Sequence, residues 1–318
     1  SVERHAETGN ITALVTEGGT KVEADFYIDC TGFRRALIGP MGAKWVSFRE
    51  TLPVNRAIPF WLNIPDGEEI EPCTLAWAQG SGWMWKIPTQ GRYGCGYVFS
   101  DAHVTPDQAK AEIESVLGHP IDVRNDIRID GGRLETQWLH NCVALGLSSS
   151  FLEPLEATSI HGTVVQLMLL SSVLPNPDDR ARQAFNAAAA RQVDDFRDFI
   201  RLHYISERRD TAFWQDVAAS LPDRLADRLA LWQTKVPGPD DFQPFPMGLP
   251  HTDHHLHVPV LDGLGLLNPR AAKDWLASHP GIAAKARRSA RALATEYQHA
   301  ARQAIPHRAF LQSLHAQA

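Results

Sequence analysis

The feature that most constrains this chain is a change of pattern near residue 155. Before it, short β-branched and aromatic runs are broken by Gly and Pro; after it, the runs are long, apolar or Ala- and Arg-rich. Residues 11–16, a Gly18-Gly19 turn and residues 21–26 read as a hairpin leading into a strand at 27–30. Further strands are expected at 45–48, 57–62, 73–79, 83–87, 93–99 and 142–145. Thr105 caps a helix over 107–117, with Pro106 in its first position. Helices follow at 159–173 (ending before Pro175), 178–204 and 289–305, and the Pro/Gly-rich stretch 236–250 reads as an irregular surface segment. A sheet-rich half followed by a helical half implies an α/β (α+β) enzyme with a helical cap. Composition divides it into 1–175 and 176–318.

Charge and hydropathy remove several classes of function. Lys plus Arg number 31 against 37 Asp plus Glu, a net charge of -6 that lacks a nucleic-acid binder's basic footprint. Mean hydropathy is -0.25, and the longest lipid-like stretch, residues 164–170, is far too short to span a bilayer. The opening Ser-Val-Glu-Arg-His does not read as a secretory signal, so the expected compartment is the cytoplasm. Cys30, Cys73, Cys95 and Cys142 lie far apart with no CxxC pair, and read as reduced core thiols. His251, Asp253, His254, His255 and His257 include ligand-like spacings, but no second cluster completes them. A solvated loop and no metal are expected there. Asp126, Asp130 and Glu135 read as a surface carboxylate group.

Three segments could carry chemistry. Residues 141–162 read as a buried strand, a Gly146 turn, a Ser-rich loop and an apolar helix from about Thr158. Pro154 keeps Glu153 out of helical space, and Thr158 and Ser159 can cap the helix. A helix start of this kind favours an anionic group; equally, it is an ordinary capped helix with Glu153 and Glu156 as first-turn acids. In Gly82-Trp83-Met84-Trp85-Lys86-Ile87-Pro88, the two tryptophans share one strand face, either as core or as a wall against a flat ligand. In Asp29-Cys30-Thr31-Gly32-Phe33-Arg34-Arg35, a strand ending in Thr-Gly lets backbone approach a cofactor closely.

Together these segments resemble the flavin-dependent tryptophan halogenase family. Trp83 to Pro88 carries its WxWxIP motif, and Gly94 to Asp101 its following hairpin. Asp29 to Arg34 resembles its cofactor loop, Phe151 to Thr158 its FxEPLEST segment, and Arg208 to Trp214 its DTxFW segment. The likeness is densest from 25 to 215 and weakens over the last 80 or so residues. It implies an FAD-dependent monooxygenase-like fold and a two-component enzyme, in which a separate flavin reductase delivers reduced FAD. With dioxygen and chloride or bromide, this yields hypohalous acid, which halogenates an electron-rich arene such as tryptophan or an indole.

The same resemblance implies the residue roles. Glu156 is the catalytic carboxylate, and Thr158 and Ser159 hold the halide. Gly32, Phe33, Leu147, Pro154 and Leu155 lie against the flavin. Trp83 and Trp85 keep the substrate from the activated flavin, and His203, Tyr204, Phe213 and Trp214 build the aromatic pocket. A homodimer is a further expectation, as is a place in secondary-metabolite biosynthesis.

Three departures qualify the resemblance. The N-terminal GxGxxG fingerprint is absent, and the family's catalytic lysine falls in that same region; Lys21, Lys44 and Lys86 do not sit in its motif. The chain therefore reads as the C-terminal part of a halogenase. Arg209 stands where tryptophan-specific members carry an acid for the substrate ammonium, so an arene without a free amino-acid head is expected. Ser159 replaces the usual Gly. Two rival readings remain: a flavin monooxygenase inserting oxygen, and a non-catalytic remnant or binding module.

Overall fold

The computed structural model describes residues 1–316. In chain order the elements begin with β1 Val2–Arg4, β2 Ile11–Val15, β3 Lys21–Val22, β4 Tyr27–Asp29, β5 Trp45–Ser47, β6 Arg56–Asn63, β7 Leu75–Ala78, β8 Gly82–Pro88 and β9 Arg92–Phe99. Then come α1 Pro106–Leu117, β10 Ile127–Arg128, β11 Gly132–Leu134, β12 Trp138–Leu139, β13 Cys142–Ala144 and β14 Ser150–Phe151. The helical part is α2 Thr158–Val173, α3 Asp179–Leu202, α4 Ala212–Ala219, α5 Asp223–Trp232, α6 His254–Gly263, α7 Pro269–Ser278, α8 Pro280–Gln303 and α9 His307–His315. The mixed α/β class is as expected. The last long helix starts at Pro280, nine positions before the expected 289, because Pro at its first position is compatible with a helix start.

The residues form two interleaved compact units, so the chain does not part once near residue 175. The first comprises Ser1–Asn55, Ile129–Ile205 and Pro239–His257; the second comprises Arg56–Arg128, Ser206–Gly238 and the residues from Val258 onward. In the first, β13 pairs parallel with β4 and antiparallel with β12, while β11 joins β14 and β5. α2 and α3 pack Val165, Leu169 and Leu170 against Phe185, Ala188 and Ala189, with Trp138 in the same cluster. α3 begins at Asp178, whose side chain accepts from the Ala181 N–H at 2.8 Å.

The second unit is built on the five-stranded antiparallel sheet β10-β6-β9-β8-β7. Its inner face packs Ile58, Phe60, Met84, Tyr97 and Phe99 on Ala109 and Ile113 of α1. α1 carries a full capping box between Thr105 and Gln108, with Pro106 at its start, as the sequence predicts. Gly96 is required by the tryptophan strand: a Cβ there would meet the Trp85 ring at 2.1 Å.

The thiols divide. Cys95 and Cys142 are buried, and burial pushes their thiols up to about 11 and about 12; Cys30 and Cys73 are exposed, so the core reading fails for those two. Asp126, Asp130 and Glu135 are exposed, as expected. Asp126 pairs with Arg56 of the second unit, and Asp130 accepts from Ser47 Oγ of the first at 2.5 Å.

Candidate active site

The site grows from the loop between β14 and α2. Pro154–Glu156 forms a single tight turn, and Ala157 adopts a left-handed conformation (φ 49°, ψ 33°) that turns the chain into α2. Neither Thr158 nor Ser159 caps the helix, contrary to expectation: Ala157 occupies the cap position, and no side chain bonds the first N–H groups. The uncapped donors leave the start of α2 electropositive.

The two glutamates of this loop have opposite surroundings. Glu153 is 3% exposed and accepts from the Tyr204 hydroxyl at 2.5 Å. The buried Arg201 guanidinium lies in the field of Tyr204 and Glu153; burial dominates and holds it below its usual range. Glu156 is 34% exposed, and its Oε1 lies 2.6 Å from His203 Nε2. Neighbouring residues at the end of α3 thus hold both acids of one turn.

Glu156 and Thr158 border a cavity of about 740 Å³, within the range of small-molecule sites. Its walls carry Phe196 and Phe199 from α3, and Phe242 and Phe245 from the Pro/Gly-rich stretch. That stretch was expected at the surface, yet Phe245 is 6% exposed, because an apolar ring is more stable inside than in water. His251 also lines the cavity. Its Nε2 meets Asp195 Oδ2 at 2.8 Å, and its ring packs 4.4 Å from Phe245. His257 is 1% exposed, between Phe199 and Phe242. His251 and His257 are therefore not in a solvated loop, because apolar and acidic neighbours take these two rings inside, while His255 is exposed. Asp253, His254 and His255 bring one ligand atom each within 4.8 Å of one another.

The expected cofactor residues form a second feature of the same unit. Asp29 is fully buried and accepts from Thr31 Oγ1 at 2.6 Å, from Thr31 N, Leu37 N and Ile38 N at 2.9 Å, and from Ser148 Oγ at 3.1 Å. Burial opposes its ionisation, but these bonds outweigh it and hold the carboxyl below the usual range. Ser148 also donates to Gly32 O at 3.1 Å, tying the loop at 29–35 to the turn that carries Leu147. Gly32 has φ +69° and open space where a side chain would stand, flanked by Phe33 (58% exposed) and Leu147 (37% exposed). Apolar side chains beside accessible glycine backbone fit a flat ring system such as flavin. Pro154 is exposed and Leu155 half-buried.

The remaining expected residues lie elsewhere. Trp83 is buried and Trp85 half-buried, with ring centroids 6.0 Å apart on one face of β8. Lys86, next to them, pairs with Glu71 at 3.3 Å and covers the Tyr93 ring. Phe213 and Trp214 are buried in the second unit. Trp214 Nε1 donates to Gln79 O at 2.8 Å and Thr211 Oγ1 to Gly80 O at 2.6 Å, so this segment clamps the β7–β8 turn. Sequence reading did not anticipate Phe196, Phe199, Phe242 or Phe245, and placed His251 in a solvated loop. The one hint was two phenylalanines inside a Pro/Gly-rich stretch.

A sequence profile described as tryptophan halogenase matches residues 1–258. The chain belongs to the tryptophan halogenase family. It is 35% identical over 292 residues to the tryptophan 6-halogenase SttH of Streptomyces toxytricini, covering 88% of this chain and 54% of that protein. With the 7-chloro-L-tryptophan 6-halogenase KtzR of Kutzneria sp. (strain 744), identity is also 35%, over 88% of this chain and 55% of KtzR. Among solved structures, BrvH, a flavin-dependent halogenase from Brevundimonas sp. BAL3, superposes with a TM-score of 0.84 at 32% identity, covering 99% of this chain and 63% of BrvH. The chain thus spans about half the length of the curated relatives it matches. Among the described residues, no helix is long and apolar enough to cross a membrane.

Proposed function

We propose that this chain forms the substrate-bearing part of a flavin-dependent halogenase acting on an electron-rich arene. The observation that carries the reading is Glu156, a carboxylate on the wall of a phenylalanine-lined cavity at the uncapped start of α2. Gly32, Phe33, Leu147, Pro154 and Leu155 would hold the flavin. Reduced FAD, delivered by a separate reductase, supplies with dioxygen the oxidising power that turns chloride or bromide into hypohalous acid.

This chain's residues do the rest. The N–H groups of Thr158 and Ser159 hold the halide, favoured by the helix dipole. The arene lies among Phe196, Phe199, Phe242 and Phe245. Once halogen has added to the ring, the C–H bond breaks and its electron pair restores aromaticity; the proton passes to Glu156. Tyr204 braces the turn that carries Glu156 through its bond to Glu153, and the roles of Trp83, Trp85, Phe213 and Trp214 are those the family resemblance implies.

By the family resemblance, Arg209 takes the place of an acid that holds the substrate ammonium, and a cation there repels it; it is exposed and donates to Ser206 O at 2.9 Å and Arg208 O at 2.5 Å. The substrate class is an indole, a phenol or a related arene without an amino-acid head, and the compartment is the cytoplasm.

The test supplies the natural gene product with FAD, a flavin reductase, NADH and bromide, offers indole and free tryptophan together, and analyses the products by mass. Brominated indole in excess is the expected result. Hydroxylated product independent of bromide would replace halogenation with oxygenation, and dominant bromotryptophan would overturn the substrate class.

A further inference from the structure

His203 stands at the end of α3, 2.6 Å from Glu156 Oε1 through Nε2. Its other ring nitrogen, Nδ1, lies 2.9 Å from the carbonyl oxygen of Phe199, one turn back. A carbonyl only accepts, so Nδ1 carries a hydrogen. Nε2 is then the ring nitrogen left to face Glu156 Oε1. The Phe199 ring sits edge-on to the imidazole at 5.0 Å, and the imidazole is 19% exposed, which leaves it little room to swing away. No protein group bonds Glu156 Oε2 among the described residues.

We propose that His203 is the positioning residue of Glu156. With Nδ1 committed to Phe199, its Nε2 fixes one carboxylate oxygen and leaves the other to meet the arene. This deepens the role given to Glu156 above and rests on it. In the proton-transfer step the ring C–H bond breaks, its electrons return to the ring, and the proton goes to Oε2.

The surrounding titratable groups do not take this place. Glu153, Tyr204 and Arg201 interact with one another, and His161, Asp253, His254 and His255 border the cavity. The neighbouring Tyr204 shows the same device on a buried acid, so the end of α3 acts as a two-point clamp on the 153–156 turn.

Two substitutions separate positioning from packing. His203→Phe keeps an aromatic ring on Phe199 but has no donor; His203→Gln loses the ring but keeps an N–H within reach of Oε1. Turnover with indole and bromide is expected to fall about 10²-fold in His203→Phe with KM little changed, and only about tenfold in His203→Gln. The reverse order would make His203 a packing residue and overturn the proposal.

An independent readout needs no turnover. In the full chain labelled with ¹⁵N-histidine, Nδ1 of His203 is expected to be protonated in both wild type and Glu156→Gln. Nε2, which faces Glu156 Oε1 at 2.6 Å, should resonate at a different position in Glu156→Gln than in the wild type. Identical Nε2 resonances in the two proteins would overturn the pairing. If the wild type halogenates nothing, the functional reading falls, and the nitrogen resonances alone decide the pairing.

Discussion

The two compact units bury different kinds of side chain. The second fills its interior with Ile58, Phe60, Met84, Phe99 and Ile113, and its buried polar residues, among those described, are Gln79, Ser81 and Ser100. The first buries Asp29, Glu153, Asp195, Asp198 and Arg201. Removing a charge from water costs several kcal/mol unless partners replace the solvent. Five charges hidden in one unit and none in the other, among the described residues, support the proposal that the chemistry lies in the first. In the second unit, the WxWxIP strand pairs within the β-sheet, and the segment through Trp214 bonds the β7–β8 turn.

The widest separation between the units should come from Glu156→Gln. Halogenation is expected to fall by about 10²–10⁴-fold, as for loss of a general base, while stability shifts by less than about 0.5 kcal/mol because the side chain is accessible. Product assays alongside thermal melting check this; a melting loss that matches the activity loss would return Glu156 to a structural role. The counterpart in the second unit is Phe99→Ala, expected to cost about 3–5 kcal/mol in denaturant unfolding. It should leave the His203 nitrogen resonances in place.

Asp29 sharpens the contrast through pH. Its carboxyl is held below the usual range in the fold, so the stability it contributes is fully present above the unfolded value of about 3.9. That stability is lost as pH falls through the folded value. Asp29→Ala is expected to cost about 1–3 kcal/mol at neutral pH, by stranding the donors of Thr31, Leu37, Ile38 and Ser148. It should also flatten the acid limb of a melting-temperature profile; an unchanged limb would show that the loop draws little from this carboxylate. The smallest effect belongs to Ala157→Gly. It removes the left-handed penalty of a residue with a Cβ and should stabilise by about 1 kcal/mol, measured as a rise in Tm.

Local pattern made much of the scaffold legible. The first hairpin, the tryptophan strand, α1 with its cap and the α2–α3 pair all follow from periods and caps within a few residues of one another. The strands of two or three residues, β10 to β12 and β14, left no such pattern. Nor did α4 to α7, whose turns are short or interrupted, as by Pro259 inside α6. Motif resemblance singled out Glu156, which lines the cavity. The cavity was not, because its walls join α3 to the stretch holding Phe242 and Phe245, some 50 positions on, and no period links the two. His251 was misread for the same reason: its partner Asp195 is 56 residues away.

Where the arene binds tests the account most directly. A crystal structure of the protein soaked with indole is predicted to show the ring among Phe196, Phe199, Phe242 and Phe245, with a ring carbon near Glu156. An empty cavity, with indole bound elsewhere or not at all, would contradict the account.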